Sequence, residues 1–342
     1  MREFKPGAEF MNGMETFKNQ NILVTGGTGM IGRPLVRKLL NEGAILTIAS
    51  IDKPSLDDEL LKHVKFIYTD LRNFEDCKKV VYGNEIVFHL AGIKGSPKLT
   101  QSQPATFFTN TMMFNLNMME AARLAGAQKY LFTSSVGVYA PASLLREEDV
   151  WKTFPSENDK FAGYAKRMGE LQAQAYSIEH AWNAVHIVRP ANVYGPYDNF
   201  DPQTGMVIPA LIARFASDEN PVKIWGDGSA VRDFIYSEDV ADGMISLVKS
   251  NFLEPVNLGS GKGIRISEVV QILSSLFPEK LVIWDAKSPK GDDTRILETI
   301  RARNLGIIPK VNLIEGISQV VSWYLNNKSF ISTKYNAFNE YK

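Results

Sequence analysis

Three evenly spaced glycines form the stretch of this sequence whose chemistry is easiest to predict. Gly26, Gly29 and Gly32 follow an apolar run at residues 21–25 and precede a helical pattern at residues 33–41. Gly26 allows a tight turn, Gly29 lets a pyrophosphate approach the backbone, and Gly32 lets helix and strand pack closely. The start of the helix offers free N–H groups and a positive dipole end to the anion. The stretch therefore predicts a dinucleotide site lined by Gly26, Gly29, Met30, Ile31 and Gly32.

An acidic residue lies where the adenosine ribose of such a dinucleotide would bind. The apolar run at residues 44–50 predicts a second strand, and Asp52 follows it, about twenty residues beyond the last glycine. A carboxylate at this position accepts hydrogen bonds from the ribose hydroxyls and excludes a 2′-phosphate. Ser50 and Lys53 flank Asp52, and this pair could instead hold a 2′-phosphate. NAD is thus the favoured cofactor, with NADP as the alternative.

The ends of the next two predicted strands add candidate cofactor contacts. Asp70 ends the strand at residues 64–71, where it would meet the adenine amino group or cap a helix at residues 73–81. Small residues end the strand at residues 85–92 and would let the backbone run beside the cofactor ribose. His89 lies within that apolar run and is interpreted as a core residue. The remaining predicted cofactor contacts are Leu71, Leu90, Ala91 and Gly92.

The composition argues against several other classes of protein. Lys and Arg together number 38, as do Asp and Glu, so the charge of the 342 residues does not indicate nucleic acid or an acidic membrane as partner. The single cysteine, Cys77, cannot form an internal disulfide, and the four scattered histidines do not predict a metal site. No apolar run reaches membrane-spanning length, and the N-terminus lacks the pattern of a signal peptide. We therefore expect a cytoplasmic protein with no metal and no membrane partner.

Strands and helices alternate through the first half of the chain, which predicts an α/β fold with a doubly wound parallel sheet. Two more strands, at residues 129–139 and 185–190, continue this sheet. Beyond them the alternation lapses into turn-rich segments, which predict a smaller substrate domain interleaved with the sheet. The predicted divisions are an N-terminal tail at 1–18, a Rossmann domain at 19–190, the substrate domain at 191–330 and a C-terminal tail at 331–342.

Two long helical patterns supply a candidate subunit interface. The first, at residues 104–126, carries two pairs of methionines, and the second follows at about residues 165–177. A methionine stripe at helical spacing is usually part of the core. The pairing of two long helices nevertheless predicts a homodimer.

Five motifs in a fixed order resemble those of the extended short-chain dehydrogenase/reductases that act on nucleotide sugars. The resemblance covers about residues 20–328, nearly the whole chain. The later half is similar to the GDP-fucose synthase and GDP-mannose epimerase branch, through stretches at 199–201, 207–211 and 291–295. Five ordered motifs are far more specific than any single one. They lie at residues 25–32, 89–92, 133–139, 189–196 and 226–234.

The resemblance implies transfer of a hydride from a sugar carbon, usually C4, to the cofactor, which makes a transient 4-keto sugar. In this family a serine hydroxyl orients the sugar oxygen and a tyrosinate removes its proton. A lysine lowers the pKa of that tyrosine and holds the nicotinamide ribose, so the chemistry is general base catalysis tuned by a cation. Ser135 takes the serine position because of its place before Val138 and Tyr139.

The family's tyrosine and lysine stand four residues apart, and this sequence departs from that pattern. The residues after Lys166 resemble the family's helix, so Lys166 takes the lysine position and Ala162 stands at the tyrosine position. The register anchored on Tyr164 puts Met168 at the lysine position instead. On an ideal helix the side chains of Tyr164 and Lys166 point about 200° apart. Tyr164 is therefore a candidate base only if the helix begins late, as Gly163 would permit, and otherwise a packing residue.

Other absences narrow the implied reaction. The family's 4,6-dehydratases carry an Asp-Glu pair where this chain has Val136 and Gly137. Its 3,5-epimerising members use a cysteine near position 137 and, in fucose synthase, a histidine near position 206, and this chain has neither. Dehydration and proton exchange at C3 and C5 by that route are therefore not expected.

Polar side chains in the later motifs are candidates for binding the substrate. Arg232 and Arg295 carry planar guanidinium groups that could bind a diphosphate, and Asn192 could donate to the phosphates or to the sugar. Arg214 is a weaker candidate. The implied substrate is a nucleoside diphosphate sugar.

The favoured function is an NAD-dependent epimerase that oxidises a nucleotide sugar at C4 and returns the hydride to the other face. The resemblance to fucose synthase suggests an alternative, a 4-keto sugar reductase that uses exchangeable NAD(P)H. A third interpretation is a dinucleotide-binding regulatory protein that has lost catalysis, since no tyrosine stands in register with Lys166.

Overall fold

The structure is a computed structural model that describes residues 16–52, 58–95, 97–285 and 291–328. Lys53, most of the predicted N-terminal tail and the predicted C-terminal tail lie outside these residues. Within the described part of the N-terminal tail, Phe17 is fully buried and meets the Phe88 ring edge-on, with 6.1 Å between the ring centroids. The predicted tail up to residue 18 therefore includes a residue of the core.

The central sheet has seven strands, which pair in parallel. The described strands are β1 Asn21–Thr25, β2 Ile45–Ser50, β3 Lys65–Tyr68, β4 Ile86–His89, β5 Lys129–Thr133, β6 Val185–Pro190, β7 Asn192–Tyr194, β8 Val222–Trp225, β9 Val231–Arg232, β10 Phe234–Tyr236, β11 Val256–Leu258, β12 Ile264–Arg265, β13 Val282–Asp285 and β14 Thr294–Arg295. The central sheet follows the order β3-β2-β1-β4-β5-β6-β11. Its strand order reverses between β1 and β4, where doubly wound sheets bind ligands at the carboxyl ends of their strands. The predicted α/β fold with a doubly wound parallel sheet is confirmed.

Helices cover both faces of this sheet. Because side chains alternate across a strand, Ile22 and Val24 of β1 enter one apolar cluster while Leu23 enters the other. Among the described residues, none of the helices combines the length and the apolar character needed to cross a bilayer. The described helices are α1 Gly32–Asn41, α2 Phe74–Val81, α3 Pro97–Ser102, α4 Pro104–Leu124, α5 Lys160–His180, α6 Val207–Phe215, α7 Ser237–Ser250, α8 Ile266–Leu276, α9 Ile300–Asn304 and α10 Leu313–Asn326.

The later part of the chain is interleaved with the central sheet. β11 pairs with β6, and α7 packs on α1, so both elements pack with the predicted Rossmann domain although they follow residue 190. A third apolar cluster, formed by α6, α8, α10 and the short strands, is separate from the two clusters on the sheet. A three-stranded sheet in the order β12-β9-β14 places Arg232 opposite Arg295 in register. The domain divisions at residues 190 and 330 stay a prediction.

Helix α5 begins at Lys160, earlier than the start at about residue 165 that the sequence pattern predicts. A 3₁₀ turn at Glu157–Asp159 leads into the helix, and Ala181 in the left-handed conformation ends it. Gly163 lies against the turn that follows β5, because a Cβ there would be 2.3 Å from the carbonyl oxygen of Gly137. The glycine therefore permits close packing within a regular helix, not an irregular first turn.

A buried ion pair fixes α5 against the sheet. Arg189 of β6 donates through Nε and Nη2 to the two carboxylate oxygens of Glu170 on α5, at 2.9 and 2.7 Å. Both side chains are almost fully buried. Ser134 Oγ donates to the same carboxylate at 2.6 Å, and Arg189 Nη1 donates to Tyr139 Oη at 3.0 Å. The pair therefore ties together α5, β6 and the turn after β5.

Removing one partner of this pair would leave the other charge buried and unpaired. We expect Glu170→Ala to lower the free energy of unfolding by about 3–5 kcal/mol. Arg214→Ala breaks the partly exposed pair with Glu219 and should cost at most about 1 kcal/mol. Urea unfolding followed by circular dichroism measures both values. Equal losses in the two variants would show that the Glu170–Arg189 pair does not fix α5.

Candidate active site

The glycine-rich turn forms a cradle for an anion at the start of α1. A Cβ on Gly32 would lie 2.2 Å from the carbonyl oxygen of Gly26, and Gly26 itself has a φ of +68°. Glycine is therefore required at both positions. Among the described residues, the backbone N–H groups of Met30, Ile31 and Gly32 find no acceptor, and no side chain caps the helix. Three unpaired amides at a helix N-terminus fit a pyrophosphate group.

The end of β4 runs beside this cradle. A Cβ on Gly26 would lie 3.0 Å from the backbone nitrogen of Ala91 and 3.2 Å from the carbonyl carbon of Leu90. Thr25 Oγ1 accepts the N–H of Ala91 at 3.1 Å, which fixes the first residues after the strand. The structure thus brings Leu90 and Ala91 next to the glycine-rich turn, and Gly92 follows directly. Their contacts with a ribose stay a prediction.

His89 is a buried residue that orients its neighbours. Its Nε2 lies 3.0 Å from Asn115 Oδ1, and its Nδ1 lies 2.8 Å from Thr25 Oγ1. Since an amide oxygen only accepts, Nε2 carries the proton and Nδ1 accepts from the threonine hydroxyl. Burial, together with the positive charge of Lys166, lowers the pKa of His89 to about 3. This neutral, hydrogen-bonded ring supports the interpretation of His89 as a core histidine.

The residues predicted to select between NAD and NADP follow β2. Ser50 is buried, its hydroxyl shares a 2.9 Å hydrogen bond with Thr28 Oγ1, and its Oγ accepts the N–H of Asp52 at 3.1 Å. The hydroxyl of Ser50 therefore already contacts both Thr28 and the backbone of Asp52. Lys53, the other residue of the NADP alternative, lies outside the described residues. The choice between NAD and NADP therefore stays a prediction.

Asp70 follows β3, and a neighbouring arginine binds its carboxylate. Arg72 donates through Nε and Nη2 to Asp70 Oδ2, at 2.8 and 2.5 Å. Burial raises the pKa of this carboxyl group, but the contacts with Arg72 outweigh burial and leave the pKa below its usual value. The predicted alternative of Asp70 as a helix cap is wrong, because Asn73 Oδ1 accepts the N–H of Glu75 and caps α2. Leu71 is buried beside Asp70, and an adenine contact of either residue stays a prediction.

Ser135 and Lys166 flank the carboxyl end of β5. Ser135 precedes the 3₁₀ turn at Val136–Val138, and its Oγ accepts the N–H of Gly137 at 3.1 Å. Lys166 lies half-buried on α5, and its Nζ donates to the carbonyl oxygen of Thr133 at 2.8 Å. Burial lowers the pKa of this amine to about 8. The predicted serine and lysine are thus brought to the same end of one strand.

Tyr164 and Lys166 belong to the same regular stretch of helix. Because α5 begins at Lys160 and continues through Gly163, the late start that a catalytic Tyr164 requires does not occur. Side chains two residues apart on a helix project about 200° from each other. The structure therefore does not bring Tyr164 to the face of α5 that carries Lys166, and Ala162 occupies that face at the family's tyrosine position.

Arg232 and Arg295 stand side by side on β9 and β14. Carboxylates bind Arg295: Asp159 accepts from Nη1, and Asp292 accepts from Nε at 2.8 Å. Arg232 donates from Nη1 to the carbonyl oxygen of Val231 at 2.8 Å and forms no salt bridge with a carboxylate in the described part of the chain. Burial and the neighbouring Arg295 lower the pKa of Arg232. Of the two guanidinium groups, that of Arg232 is therefore the better placed to bind an anion.

The other two predicted substrate residues lie in different surroundings. Asn192 on β7 donates from its side-chain amide to the carbonyl oxygen of Asp233 at 2.9 Å, so it lies next to the strand that carries Arg232. Arg214 on α6 donates twice to Glu219, at 3.1 and 2.8 Å. The described contacts link Asn192 to the arginine pair and provide no such link for Arg214.

Asp159 and Asp292 are charged residues of this region that sequence reasoning missed. Both bind Arg295, although Asp159 lies far from it in the sequence. A weak signal for Asp159 was available, because it precedes Lys166 by seven residues and this spacing lines one face of a helix. For Asp292 the only signal was its place in the motif at residues 291–295.

A doubly wound sheet whose first turn leaves three amides unpaired defines the class of dinucleotide-binding α/β proteins. Within that class, residues 22–259 match the sequence profile of the NAD dependent epimerase/dehydratase family. The chain belongs to this family, and the match spans the cradle, β5 and the whole of α5.

Curated relatives and solved structures extend this result. The chain is 32% identical over 320 residues to GDP-L-fucose synthase 1 of Arabidopsis thaliana, which covers 91% of this chain and 94% of the relative. It is 28% identical over 314 residues to GDP-mannose 3,5-epimerase of the same plant. This match covers 90% of this chain and 82% of the relative. The structure of UDP-glucose 4-epimerase from Thermotoga maritima, solved with UDP-glucose, superposes on this chain with a TM-score of 0.78 at 26% sequence identity. The superposition covers 90% of this chain and 100% of that structure. These relatives are named for reactions of nucleotide sugars, so the family resemblance is confirmed.

Gly29 and Gly32 of the cradle should respond differently to an added side chain. A Cβ on Gly29 would meet the carbonyl oxygen of Gly26 at 3.3 Å, so Gly29→Ala should keep the melting temperature of the cofactor-free protein within about 2 °C. Its methyl group should obstruct the pyrophosphate and weaken dinucleotide binding at least about tenfold. Gly32→Ala should lower binding and also cost about 1–3 kcal/mol of stability through overpacking. Scanning fluorimetry and NAD titration measure both effects, and unchanged affinity in Gly29→Ala would contradict this role of the turn.

Proposed function

We propose that the protein is an NAD-dependent nucleotide-sugar epimerase that oxidises its substrate at C4. The hydride returns to the opposite face of a transient 4-keto sugar. The observation that carries the proposal is the placement of Ser135 and Lys166 at the carboxyl end of β5, in a chain of the NAD dependent epimerase/dehydratase family. Similarity to the UDP-glucose 4-epimerase of Thermotoga maritima supports C4 as the reacting carbon.

The residues of the cradle would hold the cofactor. The amides of residues 30–32 bind the pyrophosphate, and Asp52 accepts hydrogen bonds from the adenosine ribose. Lys166 Nζ has N–H groups beyond the one given to Thr133, and these bind the hydroxyls of the nicotinamide ribose. When bound, the dinucleotide supplies the hydride acceptor.

Ser135 and Lys166 act on the sugar oxygen. Since Ser135 Oγ accepts the N–H of Gly137, its own hydroxyl proton is available to donate to the oxygen at C4. The Lys166 ammonium stabilises negative charge that develops on that oxygen as its proton leaves. Because the pKa of Lys166 is lowered to about 8, the amine changes its charge more readily than an exposed lysine does.

The substrate is a nucleoside diphosphate sugar. Arg232 binds the diphosphate, because its guanidinium is positive, lies in a sheltered position and has no carboxylate in a salt bridge among the described residues. Asn192 lies beside it through the carbonyl oxygen of Asp233 and donates to the phosphates or the sugar. Arg295 contributes less, since two carboxylates already bind it.

A second candidate is a 4-keto sugar reductase that uses exchangeable NAD(P)H. The similarity to GDP-L-fucose synthase 1 of Arabidopsis thaliana favours it, at 32% identity over 320 residues. The same serine and lysine would then bind a ketone oxygen and stabilise the alkoxide formed from it.

We also propose a cytoplasmic homodimer that associates through α4 and α5. These two long helices pack side by side, and each keeps apolar side chains on its exposed surface. The large exposed apolar residues on them are Met113, Leu124, Phe161, Leu171 and Ile178.

The cofactor released from freshly purified, denatured protein separates the two reactions. An epimerase recycles its hydride internally, so it should release close to one NAD per chain. A protein that releases no dinucleotide and then binds NADPH more tightly than NAD would indicate the reductase. Chromatography of the supernatant with NAD and NADP standards measures identity and stoichiometry. Failure to bind either cofactor would contradict both candidates.

Lys166→Ala tests the catalytic pair. Positioned acid–base groups contribute about 10²–10⁴ to rate, so turnover should fall at least about tenfold. Lys79→Ala on α2 is the control, because that lysine is exposed and pairs with Asp76 alone among the described residues. Turnover is measured with a panel of nucleotide sugars by NMR of the products. A Lys166→Ala variant with the turnover of Lys79→Ala would remove Lys166 from the mechanism.

A further inference from the structure

The site described so far lacks a group that accepts the proton of the sugar hydroxyl. Oxidation of an alcohol releases a proton as well as a hydride, so the reaction requires a base. Tyr164 projects away from the face that carries Lys166, and Ala162 has no ionisable side chain. Ser135 contacts the N–H of Gly137 and not a general base.

Asp159 directly precedes α5 and lies seven residues before Lys166. It is the N-cap residue of α5, but its side chain accepts no capping hydrogen bond from the helix. Positions 159, 162 and 166 follow the i, i+3, i+7 spacing that lines one face of a helix. The carboxylate of Asp159 therefore stands about one turn before Ala162, at the end of the face that the family's tyrosine and lysine share.

The carboxylate of Asp159 and the hydroxyl of Ser135 border the same space. A Cβ built on Gly137 would lie 3.6 Å from Asp159 Cγ and 3.5 Å from Ser135 Oγ. Because residue 137 has no side chain, nothing from that position separates the two groups. A sugar hydroxyl bound over Gly137 would therefore lie near both of them.

Asp159 differs from Asp292, the other carboxylate on Arg295. Asp292 accepts from Ser156 Oγ at 2.8 Å, from Asn158 Nδ2 at 2.6 Å and from Arg295 Nε at 2.8 Å. Asp159 accepts from Arg295 through Oδ2, and among the described residues its Oδ1 accepts no hydrogen bond. The side chain of Asp159 is 22% exposed, whereas that of Asp292 is 7% exposed. Both carboxylate oxygens of Asp292 thus accept hydrogen bonds, whereas Oδ1 of Asp159 is available to a ligand.

We propose that Asp159 is the catalytic base and takes the place of the family's tyrosine, an inference that rests on the proposed function. Its Oδ1 accepts the proton of the sugar hydroxyl that Ser135 orients. The O–H bond breaks towards the carboxylate, and the C–H bond gives its hydrogen with both electrons to the nicotinamide of NAD. The sugar carbon becomes a ketone, NAD gains the two electrons, and Asp159 becomes a neutral carboxylic acid. Return of the hydride takes the same proton back.

Asp159→Asn and Asp292→Asn form a matched pair for testing this role. Each removes one negative charge beside Arg295, and asparagine keeps the size of aspartate. Each full-length variant is mixed with UDP-glucose or GDP-mannose, and reduction of its NAD is followed at 340 nm in a single turnover. We expect Asp159→Asn to slow reduction at least about 100-fold and Asp292→Asn less than about tenfold.

Binding measurements show whether the variants still bind the cofactor and the nucleotide sugars. The NAD content after denaturation and the calorimetric affinities for UDP-glucose and GDP-mannose should stay within about threefold of the parent protein in Asp159→Asn. This result would separate loss of a base from loss of a binding site.

Chemical rescue supplies a readout that a structural role would not produce. Asp159→Ala opens a space at the site that a small carboxylate can enter. Added formate should raise its rate of NAD reduction at least about tenfold and should not restore Lys166→Ala, which retains Asp159.

Three outcomes would overturn the proposal in distinguishable ways. Reduction by Asp159→Asn at the parent rate would remove Asp159 as the base and leave the proposed function intact. Equal losses in Asp159→Asn and Asp292→Asn, without formate rescue, would show that both carboxylates only position Arg295. A parent protein that binds neither NAD nor NADP would overturn the proposed function, and the base with it.

Discussion

The buried ion pair between Glu170 and Arg189 is the contact on which the geometry of the site depends. Burying two charges is costly unless their hydrogen bonds are also satisfied, and here both oxygens of Glu170 are bound by Arg189 while one also receives Ser134 Oγ. Lys166 stands one turn before Glu170 on α5, so the pair sets the position from which Lys166 reaches the carbonyl oxygen of Thr133. The negative charge of Glu170 also opposes, in part, the lowering of the Lys166 pKa by burial. The Glu170–Arg189 pair thus positions Lys166, and the charge of Glu170 partly offsets the lowering of the Lys166 pKa.

A second buried carboxylate, that of Asp233, positions Arg232 in a similar way. Asp233 accepts from the N–H and the hydroxyl of Ser260 and from the N–H groups of Gly261 and Leu297. Burial raises its pKa, and these hydrogen bonds oppose that rise. Since Asp233 directly follows Arg232, its four contacts fix the strand that presents this guanidinium. Buried carboxylates with nearly complete hydrogen bonding therefore hold both the lysine and the arginine.

The sequence predicts those parts of the molecule that are encoded locally. Apolar runs and the glycine spacing predict β1 to β6 and the cradle, because each signal lies within a few residues. Short strands such as β9 and β14 have two residues each, too few for any periodicity, so the sheet that carries the arginines left no such signal. The pairing of Asp159 with Arg295 joins residues separated by 136 positions, and nothing near either residue encodes it. The sequence makes Tyr164 a candidate base only if α5 begins late, and the start of α5 at Lys160 depends on the packing of Gly163 against Gly137, which the local sequence does not encode.

The segment after β7, which belongs to the predicted substrate domain, makes direct contacts with the residues that follow the glycine-rich turn and β4. Arg33, directly after the last glycine of the cradle, stacks on the ring of Tyr197 at 4.2 Å from its centroid. Lys94, just beyond β4, donates to both carboxylate oxygens of the buried Asp198 at 2.8 and 2.9 Å. The segment after β7 therefore contacts residues that follow the glycine-rich turn and β4, and later in the chain β11 returns to the central sheet. Fixed contacts of this kind hold the predicted cofactor and substrate residues in one arrangement, and the hydride transfer of the proposed reaction requires such a near-attack geometry.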